Sequence, residues 1–338
     1  MRICVVGAGA IGGLLGAKLA LAGESVTLLD RGAHLEAIRR SGLKLVLADG
    51  SEQMARTAAA TDDFAAAGTQ DLVILSVKAH IIEAVAPKLP ALFNPDTMLM
   101  TAQNGLSWWY FQRHGGAYDG RPIRCLDPNG VIARHIEPQR IIGCVVYPAG
   151  EIQAPGVIRH VEGDRFALGE LDGAQTERVQ RVAGALTRAG FKAFVLDNIR
   201  AEIWLKLWGN MSFNPISALT HATLVDLCQF APTRELAAAM MREAQAIAGK
   251  LGIEFRVPLE KRIAGAEKVG KHKTSTLQDV EAGREIETEA LLGAVLELAQ
   301  LTQTPAPACG AVYALLSLLA KTAADERAAV RLIPSGTA

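Results

Sequence analysis

The 338-residue chain is poor in several things, and each shortage excludes a class of protein. It has five cysteines, Cys4, Cys125, Cys144, Cys228 and Cys309, an odd number with no C-x-x-C pair. That argues against a disulfide framework and for buried thiols in a reducing compartment. The seven histidines include no H-E-x-x-H or comparable ligand spacing, so no metal is expected. Neither sign of charge is in excess, since 35 Lys and Arg balance 35 Asp and Glu. No global basic field therefore calls for nucleic acid or an anionic membrane surface. The longest uncharged stretch, residues 298–320, is broken by Gln300, Gln303, Pro305, Pro307 and Gly310. It reads as two helix parts around a proline loop and not as a membrane span. No basic segment with an apolar run precedes the first strand, so a cytoplasmic, soluble protein is expected.

What is present starts with the first thirty residues. Ile3-Cys4-Val5-Val6 is a short apolar run, as in a strand buried on both faces. Gly7-Ala8-Gly9-Ala10-Ile11-Gly12 follows with G-x-G-x-x-G spacing. Gly7 permits a tight turn, Gly9 lets backbone approach a pyrophosphate, and Gly12 lets the next helix pack close to the strand. That helix opens at Ala10 and Ile11 and turns its unsatisfied N–H groups toward the phosphates. A second strand, Val26 to Leu29, ends in Asp30. Strand, glycine turn, helix, strand and terminal acid together are the context a dinucleotide site requires. Asp30 suits a ribose 2′-hydroxyl and argues for NAD. Arg31 suits a 2′-phosphate and argues for NADP.

Further along, residues 34–41 suggest a short helix, and 43–47 a strand closed by the Asp49-Gly50 turn. Residues 71–77 form another buried-type strand ending in Lys78, which places an ammonium where open α/β sheets bind ligands. Residues 79–86 have helical character that Pro87 and Pro90 should end. The strand at 97–101 leads into Gln103-Asn104-Gly105. This is a turn signal first, but it puts the Asn104 amide within reach of a nicotinamide or substrate oxygen. Trp108 to Phe111 read as local core. Short strands between 141 and 171 resemble an antiparallel extension of the sheet. A helix at 176–189 and a last strand at 191–196 bring the domain to its boundary near Asp197. Beyond it the chain is helical, roughly at 198–214, 233–251, 257–269, 276–302 and 310–324, with a fraying tail from Asp325 to Ala338. The expected organisation is thus α/β: residues 1–197 as a Rossmann-type doubly wound dinucleotide-binding domain and 198–330 as an all-helical substrate and catalytic domain.

The second informative stretch is Ala201 to Pro215. Lys206, Asn210 and Asn214 stand at i, i+4 and i+8, so they share one helix face with a drift of about 40° per step. Their neighbours Ile203, Trp204, Leu205, Leu207, Trp208, Met211 and Phe213 are apolar. A polar stripe through an otherwise apolar helix is buried, and its amides and ammonium need oxygen-bearing partners. An anionic, oxygen-rich small molecule fits that need, and Pro215 should stop or kink the helix. A later polar run carries Ser275, Asp279, Gly283, Arg284 and Glu287, in which Ser275 or Thr276 could cap a helix.

With these residues in view, the chain resembles the ketopantoate reductase (2-dehydropantoate 2-reductase) family over nearly its whole length. The shared features are the N-terminal glycine motif, Val77-Lys78-Ala79 and Gln103-Asn104-Gly105. To these are added Trp204-x-Lys206-Leu207-x-x-Asn210-x-x-x-Asn214-Pro215 and Ser275-x-Leu277-Gln278-Asp279 followed by Gly283-Arg284 and Glu287. The glycine motif is common to many dehydrogenases; the last two runs are far more specific. The resemblance implies a Rossmann domain, a helical domain and an active site in the cleft, with NADPH reducing a 2-keto acid to a D-2-hydroxy acid. It implies Lys206 as general acid and Glu287 as a second catalytic group, with Asn210, Asn214 and Ser275 on the substrate. It places Lys78 and Asn104 beside nicotinamide and substrate. Gly7, Gly9, Ala10, Ile11, Gly12, Asp30 and Arg31 complete the cofactor set. The cofactor is then NADP, with NAD kept open by Asp30. Departures include His80-Ile81-Ile82 after the lysine and His272 three residues before Ser275. Two alternatives stand beside ketopantoate reduction: a paralogous reductase of another branched 2-keto acid, and a non-catalytic dinucleotide sensor. The apolar C-terminal helices would serve a homodimer interface or the core.

Overall fold

The computed structural model describes residues 1–332, so the last six residues of the expected tail lie outside the described residues. The chain divides into two compact units. One comprises residues 1–122 and 127–199, and the other comprises residues 123–126 and the chain from Arg200 onward.

The first unit contains twelve strands: β1 (Arg2–Val6), β2 (Ser25–Leu29), β3 (Leu43–Val46), β4 (Glu52–Ala55), β5 (Ala59–Thr61), β6 (Leu72–Leu75), β7 (Met98–Thr101), β8 (Ile141–Val146), β9 (Ala149–Ala154), β10 (Val157–Glu162), β11 (Arg165–Glu170) and β12 (Lys192–Val195). Eight of them make the main sheet in the order β12-β11-β8-β7-β6-β1-β2-β5. From β5 to β8 all neighbours are parallel, β8 and β11 are antiparallel, and β12 returns parallel to β11. This is the α/β doubly wound sheet expected, with an antiparallel step near one edge. Its parallel strands β1, β6 and β7 are apolar runs with almost no exposed residue, because both faces are covered. The order reverses at β1: the chain runs outward through β2 to β5, then crosses to β6 on the other side. Ligands bind open α/β sheets at the strand carboxyl ends beside such a switch.

A second sheet, β4-β3-β10-β9, corrects the expected antiparallel extension. Of the four strands between 141 and 171, β8 and β11 extend the main sheet, whereas β9 and β10 leave it and join β3 and β4. This sheet covers the Ala10–Leu21 helix: a Cβ built on Gly13 would meet the Ile158 side chain at 2.7 Å, and Ile158 is buried. The arrangement explains why that helix has no polar face. Leu14, Leu15, Ala17 and Leu19 are all fully buried, some toward each sheet layer.

The prolines at 87 and 90 do not end the helical segment after β6. It continues as 3-10 turns over Ala86–Leu92, a form that tolerates the missing amide hydrogens. Trp108, Trp109, Tyr110 and Phe111 are core residues, with the Trp109 indole donating to Thr101 Oγ1 at 3.2 Å.

The second unit is all-helical among its described residues: Ile199–Thr220, Leu224–Gln229, Ala231–Lys250, Leu259–Lys268, Ser275–Glu281, Ala294–Leu301 and Pro307–Asp325. The Ile199–Thr220 helix continues past Pro215 instead of ending at Asn214. Burial of nearly every residue from Ile203 to Ala218 outweighs the one lost backbone bond. The single helix expected over 276–302 is three pieces. Gly283, with φ +64°, breaks it first, and a π turn over Glu289–Gly293 precedes the last piece. Gly293 makes room in that turn, since a Cβ there would lie 2.1 Å from Glu289 Oε2. The excursion Ile123–Leu126 is held by Glu297, whose carboxylate accepts the backbone amides of Arg124 and Cys125 at 2.8 and 2.9 Å. Pro307–Asp325 is long and apolar enough to cross a membrane by length and composition. It buries Cys309, Val312 and Leu316 and exposes Leu315 and Leu318. None of the cysteines forms a disulfide, and burial pushes the Cys4 thiol up to about 12.

Candidate active site

In the first unit the register levels the strand ends. Val6 pairs with Leu29 on one side and Leu75 on the other, so Gly7, Asp30 and Ser76 leave the sheet together. Gly7 adopts φ +93° and donates its amide to Leu29 O at 2.8 Å. A Cβ there would press on Val77 Cγ1 at 2.7 Å. Gly12 is the tightest position: its Cβ would lie 1.9 Å from Gly7 O and 2.2 Å from Ser76 Oγ. At Gly9, by contrast, a Cβ would meet nothing within 4 Å. Gly9 is the N-cap of the Ala10–Leu21 helix, and it has no side chain to cap with. The helix has no acidic residue in its first turn either. The amides of Ala10, Ile11 and Gly12 therefore keep their capacity for an anion, in the field of the helix dipole.

The loop carbonyls are held from outside the motif. Ser76 Oγ donates to Gly7 O at 2.6 Å, and His34 Nε2 lies 3.0 Å from Ala8 O. Gln103 Nε2 donates to Leu75 O at 2.6 Å and to Val77 O at 3.1 Å. Ser76 and His34 were not singled out by sequence, and Gln103 stood in the Gln103-Asn104-Gly105 run without this role. Each is a polar residue whose partner lies on a strand or loop remote in the chain, which no local spacing reveals.

Asp30 ends β2 with one carboxylate oxygen accepting the Arg31 amide at 2.8 Å, and Arg31 is exposed beside it at the start of the next helix. Lys78 and Asn104 are half-buried and follow β6 and β7. Leu75 and Thr101 are paired in those strands, so both residues stand three positions beyond a common level. Gly105, with φ +84°, completes the turn that displays Asn104.

In the second unit, the Ile199–Thr220 helix buries Trp204, Leu207, Trp208 and Met211 almost completely, and the Trp208 indole donates to Met241 O at 2.6 Å. Lys206 and Asn210 are half-buried and Asn214 is buried, one turn apart along the same face. Asn214 Nδ2 donates to Ser275 Oγ at 3.3 Å, joining two of the expected site residues that are far apart in sequence. Ser275 is not the helix cap. Thr274 takes that place, its hydroxyl accepting the Leu277 amide at 3.3 Å, and Ser275 is left to face Asn214. Asp279 and Arg284 pair with each other at 2.7 Å and close the turn after that helix. Their part in the motif is to shape the chain that leads to Glu287. Glu287 itself is half-buried and lies just before the π turn, with its carbonyl accepting the Leu291 amide.

A dinucleotide-type loop at a topological switch, with an ammonium and an amide displayed at the neighbouring strand ends, defines a Rossmann-type oxidoreductase. Comparison with known proteins narrows this. The family model "Ketopantoate reductase PanE/ApbA" matches residues 3–109, and "Ketopantoate reductase PanE/ApbA C terminal" matches residues 198–320. A 2-dehydropantoate 2-reductase of Mesorhizobium japonicum is 50% identical over 95% of this chain and 98% of its own length. A crystal structure from Ralstonia solanacearum, described as a ketopantoate reductase, is 40% identical, with a TM-score of 0.91 over 96% of this chain and 98% of that one. The same fold recurs at 21% identity, with a TM-score of 0.81 over 96% of this chain and all of that one, in a D-mandelate dehydrogenase solved with NADH and anilino(oxo)acetate. The chain belongs to the ketopantoate reductase family and is an NAD(P)-dependent oxidoreductase acting on a CH–OH group.

Proposed function

We propose that the protein reduces 2-dehydropantoate to (R)-pantoate with NADPH, a step toward pantothenate and coenzyme A. The observation that carries the reading is the polar stripe Lys206, Asn210 and Asn214 on a buried helix, extended by the Asn214–Ser275 hydrogen bond. The 50% identity to a 2-dehydropantoate 2-reductase supports the substrate.

Bound at the glycine loop, the dinucleotide would supply the hydride for the carbonyl carbon. Negative charge then builds on the carbonyl oxygen, and the Lys206 ammonium stabilises it and transfers a proton there. Asn210, Asn214 and Ser275 hold the carboxylate and hydroxyl of the substrate through their N–H and O–H groups. Glu287 orients Lys206 or the substrate hydroxyl. In the first unit, the amides of residues 9–12 take the pyrophosphate, and Lys78 and Asn104 face the nicotinamide and substrate. Arg31 takes the 2′-phosphate.

A second reading keeps the chemistry and changes its partners. Asp30 stands where a carboxylate accepts a ribose 2′-hydroxyl, which favours NADH. His272 and His80-Ile81-Ile82 depart from the family pattern, which favours another branched 2-keto acid. Steady-state oxidation of NADPH and of NADH, each with ketopantoate, separates these. Turnover with a KM in the range of about 1 μM–1 mM is expected, with NADPH preferred. Equal or better use of NADH would move the cofactor assignment to Asp30. Binding of either cofactor without turnover on ketopantoate would discard the substrate.

A further inference from the structure

We propose that His34 is a positioning residue for the dinucleotide loop, a single-tautomer bridge that aims the Gly9 amide and braces it against the second sheet. The proposal rests on the reading of residues 7–12 as a dinucleotide site and adds a residue outside the motif.

His34 sits in the first turn of the Gly32–Ser41 helix, 26 residues from its partner in the glycine loop. Both ring nitrogens are engaged with backbone. Nε2 lies 3.0 Å from Ala8 O, and the Gly156 amide donates to Nδ1 at 3.0 Å. A carbonyl only accepts and an amide N–H only donates. The ring is therefore assigned by its partners as neutral imidazole with its proton on Nε2.

The consequence for the loop follows from the planarity of the peptide. Ala8 C=O and Gly9 N–H belong to one trans peptide unit and point in opposite directions. Drawing Ala8 O toward His34 turns Gly9 N–H away from His34. Ser76 does the same one unit earlier, holding Gly7 O and thereby setting the Ala8 amide. Successive amides of the loop are thus aimed by side chains that the glycine spacing does not contain.

The other end of the bridge is equally constrained. Gly156 turns β9 into β10 with φ +77°, and a Cβ there would press on Ala37 Cβ at 3.0 Å. Its carbonyl accepts the Lys44 amide of β3 at 2.9 Å, so the turn is fastened to its own sheet. A Cβ on Gly13 would also meet Ala8 O, at 2.9 Å, so the glycine there makes room for that carbonyl. A dinucleotide motif has no need of the second sheet; here the sheet meets the loop through this imidazole and at Ala10, whose carbonyl a Cβ on Gly150 would approach to 3.3 Å.

The test is a fluorescence titration of NADPH and NADH on the full chain, with steady-state kinetics beside it. The variants are His34→Phe, His34→Gln and His34→Asn. His34→Phe loses both bonds, and His34→Gln keeps an N–H near the Nε2 position. His34→Asn keeps only an acceptor near Nδ1. His34→Phe is expected to raise the dinucleotide Kd roughly tenfold, while kcat at saturating dinucleotide and keto acid stays within about twofold. His34→Gln should recover much of the affinity and His34→Asn little. A brace of purely structural effect would show the three variants alike, with Kd tracking the fall in Tm. If His34→Phe is too unstable to purify, the contrast between Gln and Asn decides. Affinity unchanged in His34→Phe, or His34→Gln no better than His34→Asn, would overturn the proposal. A wild-type chain that binds neither dinucleotide would overturn the underlying reading of the loop, and this one with it.

Discussion

In the proposed reading the ligand's pyrophosphate meets backbone amides of residues 9–12 in the first unit, whereas the keto acid meets the side chains of Lys206, Asn210, Asn214 and Ser275 in the second. The two kinds of site fail in opposite ways. A backbone site is shaped by what is missing, so it is broken by adding atoms. Gly12 tolerates no Cβ because Gly7 O would lie 1.9 Å from it. A side-chain site is shaped by what projects, so it is broken by removing atoms. The first is maintained by remote donors such as Ser76 Oγ, and the second by rigid packing of Trp204 and Trp208 behind the stripe.

The sharpest test of the contrast is Lys206→Ala, which removes the proposed proton donor and leaves the first unit untouched. Turnover should fall by about 10²–10⁴, with dinucleotide affinity as in the wild type. Stopped-flow reduction and a binding titration on the same preparation would check both halves. Near-wild-type turnover would end the assignment of Lys206 as the acid.

The next effect separates two glycines of one motif. Gly12→Ala forces a Cβ onto the Gly7 carbonyl and should cost about 1–3 kcal/mol of stability as well as cofactor binding. Gly9→Ala meets no protein atom, and φ −61° suits an L-residue, so stability should stay within about 1 kcal/mol of wild type. Its dinucleotide affinity should nevertheless fall on the order of tenfold or more, because the new methyl stands where the pyrophosphate approaches. Thermal melts with and without NADPH distinguish them: Gly12→Ala lowers the apo Tm, whereas Gly9→Ala lowers only the shift produced by the ligand. If Gly9→Ala binds normally, residues 7–12 are a packing turn and no pyrophosphate site.

The same contrast explains what could be read in the sequence. The glycine loop was legible because the spacing itself is the mechanism, and β1, β2 and the Ala10–Leu21 helix fell where the pattern put them. The stripe was legible because 3.6 residues per turn align 206, 210 and 214. The second sheet was not legible. Its strands β4 (burial decreasing outward from Ala55) and β9 are mostly exposed and carry no apolar period, and β3 pairs with a strand more than a hundred residues away. Pro215 does not end its helix because propensity is local, while burial of the whole Ile199–Thr220 helix is not. The roles of Ser76, His34 and Gln103 stayed hidden for a related reason. Their hydrogen bonds run to carbonyls, which every residue has, and a sequence says nothing about which carbonyl a side chain will find.

The smallest effect tests whether the second site is a matter of single projecting atoms. Thr274 and Ser275 are adjacent hydroxyl residues at a helix start, and sequence alone made Ser275 a cap candidate. The structure divides their work: Thr274 Oγ1 accepts the Leu277 amide, and Ser275 Oγ accepts from Asn214. Thr274→Ala should therefore lower stability by about 1 kcal/mol and leave KM for the keto acid unchanged. Ser275→Ala should leave the melt unchanged and raise that KM about two- to tenfold, the worth of one neutral hydrogen bond. kcat should change less than KM, because in the proposed reading the Asn214–Ser275 pair holds the part of the substrate that gains no charge in the reaction. The reverse pattern, with Ser275→Ala melting early and Thr274→Ala binding poorly, would mean that Ser275 serves the fold and that the stripe ends at Asn214.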